Sequence, residues 1–214
     1  MIAINSHELA AASTCSSPYR RTLFCSVLLE ARRGKNTLAV SVDGRALIAV
    51  RSEVVHDSED QSMLLSWGFV STVLKLAAQV QKKKEDKRIL FHLPVDPVNP
   101  DTATASFPGE VSALTLTDDA IVQGKFPNWR EILPRPGTVP EPPSLKLSFD
   151  NELLKKFSLA AKLLGSGSWN ALVVTQVSGC NGPLLVQSPG APFIGIQMPM
   201  RYAEVQGGVP EWAL

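Results

Sequence analysis

The chain reads as an α+β fold, antiparallel sheets with a few amphipathic helices, on three observations. Two stretches, 67–82 and 150–164, place apolar residues at helical spacing. Short apolar runs bounded by Gly, Asp or Pro fill much of the remainder and read as strands. The resulting order is β-rich, helix, β-rich, Pro-rich connector, helix, β-rich, which is an α+β plan. At 214 residues, 44% apolar and 19% charged, the chain suffices for one large domain or one domain plus a fragment, and wholesale disorder is excluded.

Taken in order, His7 to Ser13 has room only for a short helix ending before Pro18. Residues 22–58 read as β structure: Thr22 to Leu29, then Leu38 to Val42, then Leu47 to Val50. Asp43-Gly44 between the last two is a strong hairpin signal, because Gly accepts the positive φ of a tight turn. Arg32 to Asn36 reads as the polar loop of the preceding hairpin. In the helix over 67–82, Phe69, Val70, Val73, Leu74, Ala77 and Val80 share one face. A charged exit, Lys82 to Arg88, leads to a strand at Ile89 to Phe91. Residues 94–110 read as loop, because Pro94, Pro97, Pro100 and Pro108 interrupt regular structure. Strand character returns over Val111 to Val122.

The prolines between Pro134 and Pro143 form a stiff connector and the best boundary in the chain. The helix over 150–164 follows, with Asp150 as N-cap and Gly165 just past its end. Strand-like runs at Ala171 to Val177, Leu184 to Ser188 and Phe193 to Met200 follow the helix. The helix-then-strands unit recurs without an exact repeat, which points to internal duplication.

Composition and motifs narrow the function chiefly by exclusion. Lysine and arginine number 21 against 20 acids, a net charge of +1, which is not the balance of a protein whose whole surface traps polyanions. Cys15, Cys25 and Cys180 have no paired spacing, so the expectation is reduced thiols in a cytoplasmic protein. No signal peptide or membrane-spanning run is visible. His7, His56 and His92 show no ligand spacing, and no metal or other cofactor is expected. There is no Walker-type loop or nucleophile elbow; Gly165-Ser166-Gly167-Ser168 follows a helix and cannot cradle a phosphate at a helix start. Acids such as Asp118-Asp119 and Glu152 read as solvated. The expectation is a binding protein, not an enzyme.

Three segments carry specific information: Val42-Asp43-Gly44-Arg45-Ala46-Leu47, then Gly124 to Pro134 (GKFPNWREILP), then Ile196-Gln197-Met198-Pro199-Met200-Arg201. Singly, each has an ordinary structural reading as a turn, a core aromatic or an edge strand. Together and in this order they resemble the bacterial replicative sliding clamp, the beta subunit of DNA polymerase III. The resemblance likens residues 1–135 to the middle clamp domain with a shortened first helix. It makes 136–143 a connector, likens 144–201 to the second half of the third domain, and leaves 202–214 as a C-terminal tail. The family's first domain and the first half of its third have no counterpart here, and the loop through 94–110 is longer than the family needs.

The resemblance implies a hydrophobic pocket that accepts short peptides bearing Leu and Phe anchors from polymerases or other replication and repair partners. Its walls would be Val42, Gly44, Arg45 and Leu47; Pro127, Glu131 and Ile132; and Ile196, Gln197, Met198, Pro199 and Met200. Methionine suits a cavity taking varied anchors, and proline reduces what must be ordered on binding. Ala46 and Glu131 stand where the family commonly has basic residues, which bears on which peptides bind. Lys75, Lys82, Lys155, Lys156 and Lys162, on the polar helix faces, would offer double-stranded DNA a contact without sequence preference, although solubility alone also places lysines there. Two other readings stand beside the truncated, peptide-binding clamp. One is a homo-oligomer that closes a ring around DNA. The other is an interaction module whose pocket is filled by its own tail through Trp212 and Leu214.

Overall fold

The computed structural model describes residues 1–16, 25–81, 86–92, 102–109, 113–116, 120–133, 150–165, 171–176 and 182–198. Their strands are β1 (Ile2–Asn5), β2 (Ser26–Ala31), β3 (Lys35–Val42), β4 (Ala46–His56), β5 (Gln61–Ser66), β6 (Arg88–His92), β7 (Ala103–Ser106), β8 (Ala113–Leu116), β9 (Val173–Gln176), β10 (Leu184–Gln187) and β11 (Phe193–Gln197). The helices are α1 (Ser6–Ser13), α2 (Trp67–Val80) and α3 (Asn151–Leu163), with a short 3₁₀ helix at Trp129–Ile132. Every strand pairing is antiparallel, in a four-stranded sheet ordered β1-β6-β7-β8 and a seven-stranded sheet ordered β5-β2-β3-β4-β11-β10-β9.

Local chemistry accounts for the helix limits. The Ser66 hydroxyl accepts the Phe69 amide at 3.2 Å and starts α2, and the Asp150 carboxylate accepts the Glu152 amide at 2.9 Å and starts α3. Helix α1 opens with the Glu8 carboxylate accepting the Asn5 amide at 3.1 Å. That carboxylate is fully buried and also accepts the Ser52 hydroxyl and the Glu53 amide at 2.8 Å, so its oxygens keep their donors away from water. Gly165 closes α3 at φ +69°.

Two expectations are corrected, and one strand was not foreseen. Residues 103–106, expected as loop, form β7: Ala103 and Ala105 are buried while Thr104 and Ser106 are half-buried. Flanking prolines and two small apolar residues conceal so short an alternation. The first residues form β1 against β6, a four-residue strand too short to announce itself. The single strand expected over 111–122 divides instead. Residues 113–116 pair with β7, whereas Ile121 bridges Leu65 and the Val122 amide donates to Leu64 in the other sheet. The connector at 136–143, most of the loop at 94–110 and the tail at 202–214 lie outside the described residues.

The seven-stranded sheet is apolar on its inner face and over part of its outer face, and both apolar regions are covered. On the inner face Leu29, Ala39, Ile48, Val50 and Leu65 join Leu9, Phe69, Val73, Leu153 and Phe157 of the three helices in the main core. Pairing of β11 with β4 carries that sheet from the first half of the chain into the last quarter. Helix α3 sits close here because β11 has glycine at 195: a Cβ there would lie 2.5 Å from Phe157 Cε1.

Candidate functional site

The outer face of the same sheet holds a second apolar cluster. Side chains alternate across a pleat, so Val40 and Val42 of β3, Leu47 and Ala49 of β4, and Ile196 of β11 share this face. Register lines up Val42, Leu47, Ile196 and Leu185 as one row across four strands. Phe126, Trp129 and Leu133 cover that row. Residues from all three sequence segments therefore meet in one cluster.

The covering segment is held by polar ties. The Arg130 guanidinium forks onto the Glu30 carboxylate of β2 at 2.6 and 3.1 Å, and lies 4.3 Å from the Trp129 ring centroid. The Trp129 amide donates to Pro127 O at 2.8 Å and the Glu131 amide to Asn128 O at 3.1 Å. Trp129 is buried within the cluster. Open volume lies beside it. One cleft of about 520 Å³ runs under residues 121–130 against Leu28, Met63 and Leu64. Another of about 360 Å³ runs past Leu38 and Arg130 to the β2–β3 turn.

Of the expected wall residues, Val42, Leu47 and Ile196 are buried together. Pro127 is half-buried, Glu131 is exposed, and Ile132 and Met198 are 38% and 47% exposed, so the last two offer apolar surface at the margin. The Met198 amide donates to Arg45 O at 2.9 Å, which ties the third segment to the first. Gly44, at φ +85°, and Arg45 form the exposed turn. Gln197 faces the other way. Its register with Ala46, two residues beyond the Gly195 that meets Phe157, sets it on the inner face, fully buried, its side-chain amide without a hydrogen-bond partner among the described residues. Pro199 and Met200 lie outside the described residues.

Sequence reasoning left Leu38, Val40, Ala49, Phe126, Leu133 and Leu185 out of the site and treated Trp129 singly as core. The available signal was the period of two. Counting back from Val42 reaches Val40 and Leu38, and counting on from Leu47 reaches Ala49.

The Asp43-Gly44 turn is clasped to α3. Asp43 Oδ1 accepts the amides of Arg45 at 2.9 Å and Ala46 at 2.8 Å, and Oδ2 accepts Lys156 Nζ at 2.7 Å. Arg45 in turn reaches Asp150, the α3 cap, at 3.2 Å. Burial by itself would push the Asp43 carboxyl up. The Lys156 hydrogen bond, the two amides and the ammonium charge outweigh it and hold the carboxyl below its ordinary range. Burial pushes the nearby Cys15 thiol far up, leaving it protonated and unreactive.

The expected DNA-contact lysines fare differently from one another. Lys156 is committed to Asp43, and Lys155 pairs with Glu152 on the surface at 2.5 Å. Lys75 and Lys162 are exposed on α2 and α3, across the sheet from the apolar cluster; Lys82 lies outside the described residues. Among the described residues no group of three or more His, Cys, Asp or Glu is placed to hold a metal ion, and no helix is long and apolar enough to cross a membrane.

No family model matches the chain, and none of the curated proteins does. Solved structures do match. The DNA polymerase III subunit beta of Pseudomonas aeruginosa superposes with a TM-score of 0.68 at 13% identity, over 94% of this chain and 66% of that one. The DNA polymerase sliding clamp of Bacillus subtilis gives 0.64 at 12% identity, over 94% and 64%. The beta clamp of Helicobacter pylori, solved bound to a DNA ligase peptide, gives 0.63 at 12% identity, over 94% and 66%. The expected sliding-clamp fold is thus the fold of this chain, which spans about two thirds of the length of the clamps it matches.

Proposed function

We propose, from a chain with the sliding-clamp fold, a clamp-like replication or repair accessory protein that binds short peptides bearing Leu and Phe anchors on the outer face of its seven-stranded sheet. One observation carries the reading: segments about 80 and 70 residues apart converge on a single apolar cluster beside two open clefts. A few apolar anchors set in such a surface are enough for linear-peptide recognition. The Helicobacter pylori clamp, solved with a DNA ligase peptide, is the comparison that favours this ligand class. In this reading residues 1–135 and 144–201 are the two clamp-like parts, joined through β4 and β11. The protein works in the cytoplasm as a binding partner of polymerases or ligases, not as an enzyme.

Fluorescence polarization with a labelled Leu- and Phe-bearing peptide tests this. Saturable binding is expected. Met198→Ala with Ile132→Ala, both at exposed positions, should weaken it about tenfold or more, since anchor contacts are each worth about 1 kcal/mol or more. No saturable binding, or an unchanged affinity in the double variant, removes the proposal.

Lys75 and Lys162, exposed on the helical side, support a second reading in which several copies close around double-stranded DNA. It calls for a defined oligomer by light scattering and for retention on circular DNA that linearisation abolishes. A monomer without retention rejects it.

A further inference from the structure

Beyond the apolar cluster, the outer face carries an uncompensated basic cleft. The 360 Å³ cleft is lined by Arg32, Lys35, Arg51 and Arg130, with Glu30 as its one acid, beside Asn36 and Leu38. Glu30 is taken up by Arg130. Three cations remain, and Arg32, Lys35 and Arg51 form no ion pair among the described residues. All three are exposed. Arg32 comes from the β2–β3 turn, Lys35 from the start of β3 and Arg51 from β4. The register pairing Leu38 with Arg51 sets that arginine on the outer face. The cleft begins where the apolar cluster ends: Leu38 packs in the cluster and lines the cleft, and Arg130 covers Trp129 while lining it too.

We propose that this cleft receives an acidic stretch flanking the apolar anchors of a partner peptide. The inference rests on the peptide-binding reading and adds to it the charge of the partner. One linear ligand crossing from Leu38 to Arg51 would bury its apolar part on the cluster and lay carboxylates among three cations that lack counter-charge. Such rim charges act on association rate and partner choice. A peptide fits better than nucleic acid, because the cleft runs on from an apolar cluster that a phosphate chain has no groups to fill, and because the exposed helix lysines lie across the sheet.

The test compares labelled peptides with one Leu- and Phe-bearing core: bare, extended at either end by Glu-Glu-Glu, or extended by Ser-Ser-Ser. One of the two acidic extensions should tighten binding about tenfold at low salt, as a few exposed ion pairs together would. The gain should fade as salt rises from about 0.05 to about 0.5 M. Arg51→Glu and, separately, Arg32→Glu should abolish that gain and leave the bare peptide unaffected. Equal binding of the Glu and Ser extensions, with the bare peptide still bound, overturns this inference and spares the peptide-binding reading. Failure of every peptide to bind overturns both. Displacement of the acidic peptide by duplex DNA at equal charge assigns the cleft to nucleic acid and likewise overturns it.

Discussion

Phe157→Ala is expected to cost about 3–5 kcal/mol of folding stability, read as a lowered urea midpoint at unchanged slope. Phe157 is fully buried, and its ring lies against the one place on β11 without a side chain. Truncation removes the aromatic surface and leaves a void that the sheet backbone is too stiff to close. The reciprocal change, Gly195→Ala, drives a methyl to 2.5–2.7 Å from two ring carbons and is expected to cost about 1–3 kcal/mol by overpacking. The pair must then be strongly non-additive. In Phe157→Ala the space for the new methyl exists, so the double variant should be more stable than the sum of the two single changes allows. Strict additivity would mean that Phe157 does not seat on Gly195, and that α3 is docked differently.

Asp43→Asn is expected to cost about 2–3 kcal/mol at neutral pH, and Asp43→Ala more. The amide keeps an oxygen for the Arg45 and Ala46 amides but loses the charge facing Lys156. Removing one member of a fully buried pair costs about 3–5 kcal/mol; Lys156, whose side chain is 27% exposed, recovers part of that through water, whereas Asp43 at 3% cannot. Alanine also strips the turn of its acceptor.

The pH dependence follows in sign. Asp43 has a folded pKa below its unfolded one, so the unfolded chain takes up the proton first on acidification. The stabilisation is complete above the unfolded value, about pH 4, and is lost as pH falls through the folded one. The stability gap between the parent and Asp43→Asn should therefore be constant from about pH 7 to pH 5 and shrink below about pH 4. A gap that widens on acidification contradicts the ion pair. Because Arg45 and Lys156 fasten the turn to the N-cap and the second turn of α3, the same substitution should also loosen the edge of the proposed peptide site.

Much of the local structure was legible residue by residue. The period of 3.6 over 67–82 and 150–164 became α2 and α3 within a residue or two, with Ser66 and Asp150 as working caps. Asp43-Gly44 became the turn its chemistry demands. Strands of four residues, β1 and β7, were not legible: β1 is too short to announce itself, and in β7 an Ala-Thr-Ala-Ser alternation carries too little hydrophobic contrast to stand out from loop.

The sequence by itself determined the elements with strong period or turn chemistry, and the likeness of three motif-bearing segments to sliding clamps. Only the tertiary structure decided how those pieces face one another. Whether β11 borders β4 is settled by an edge needing hydrogen-bond partners and by α3 needing a glycine to rest on, neither of which is local information. Register, once set, sends Ile196 outward and Gln197 inward. It also lets Trp129 bury itself in the cluster, with open space beside it. Burial likewise turned Lys156 from a surface cation into the partner of Asp43, since a buried carboxylate takes whichever ammonium the packing brings within 3 Å.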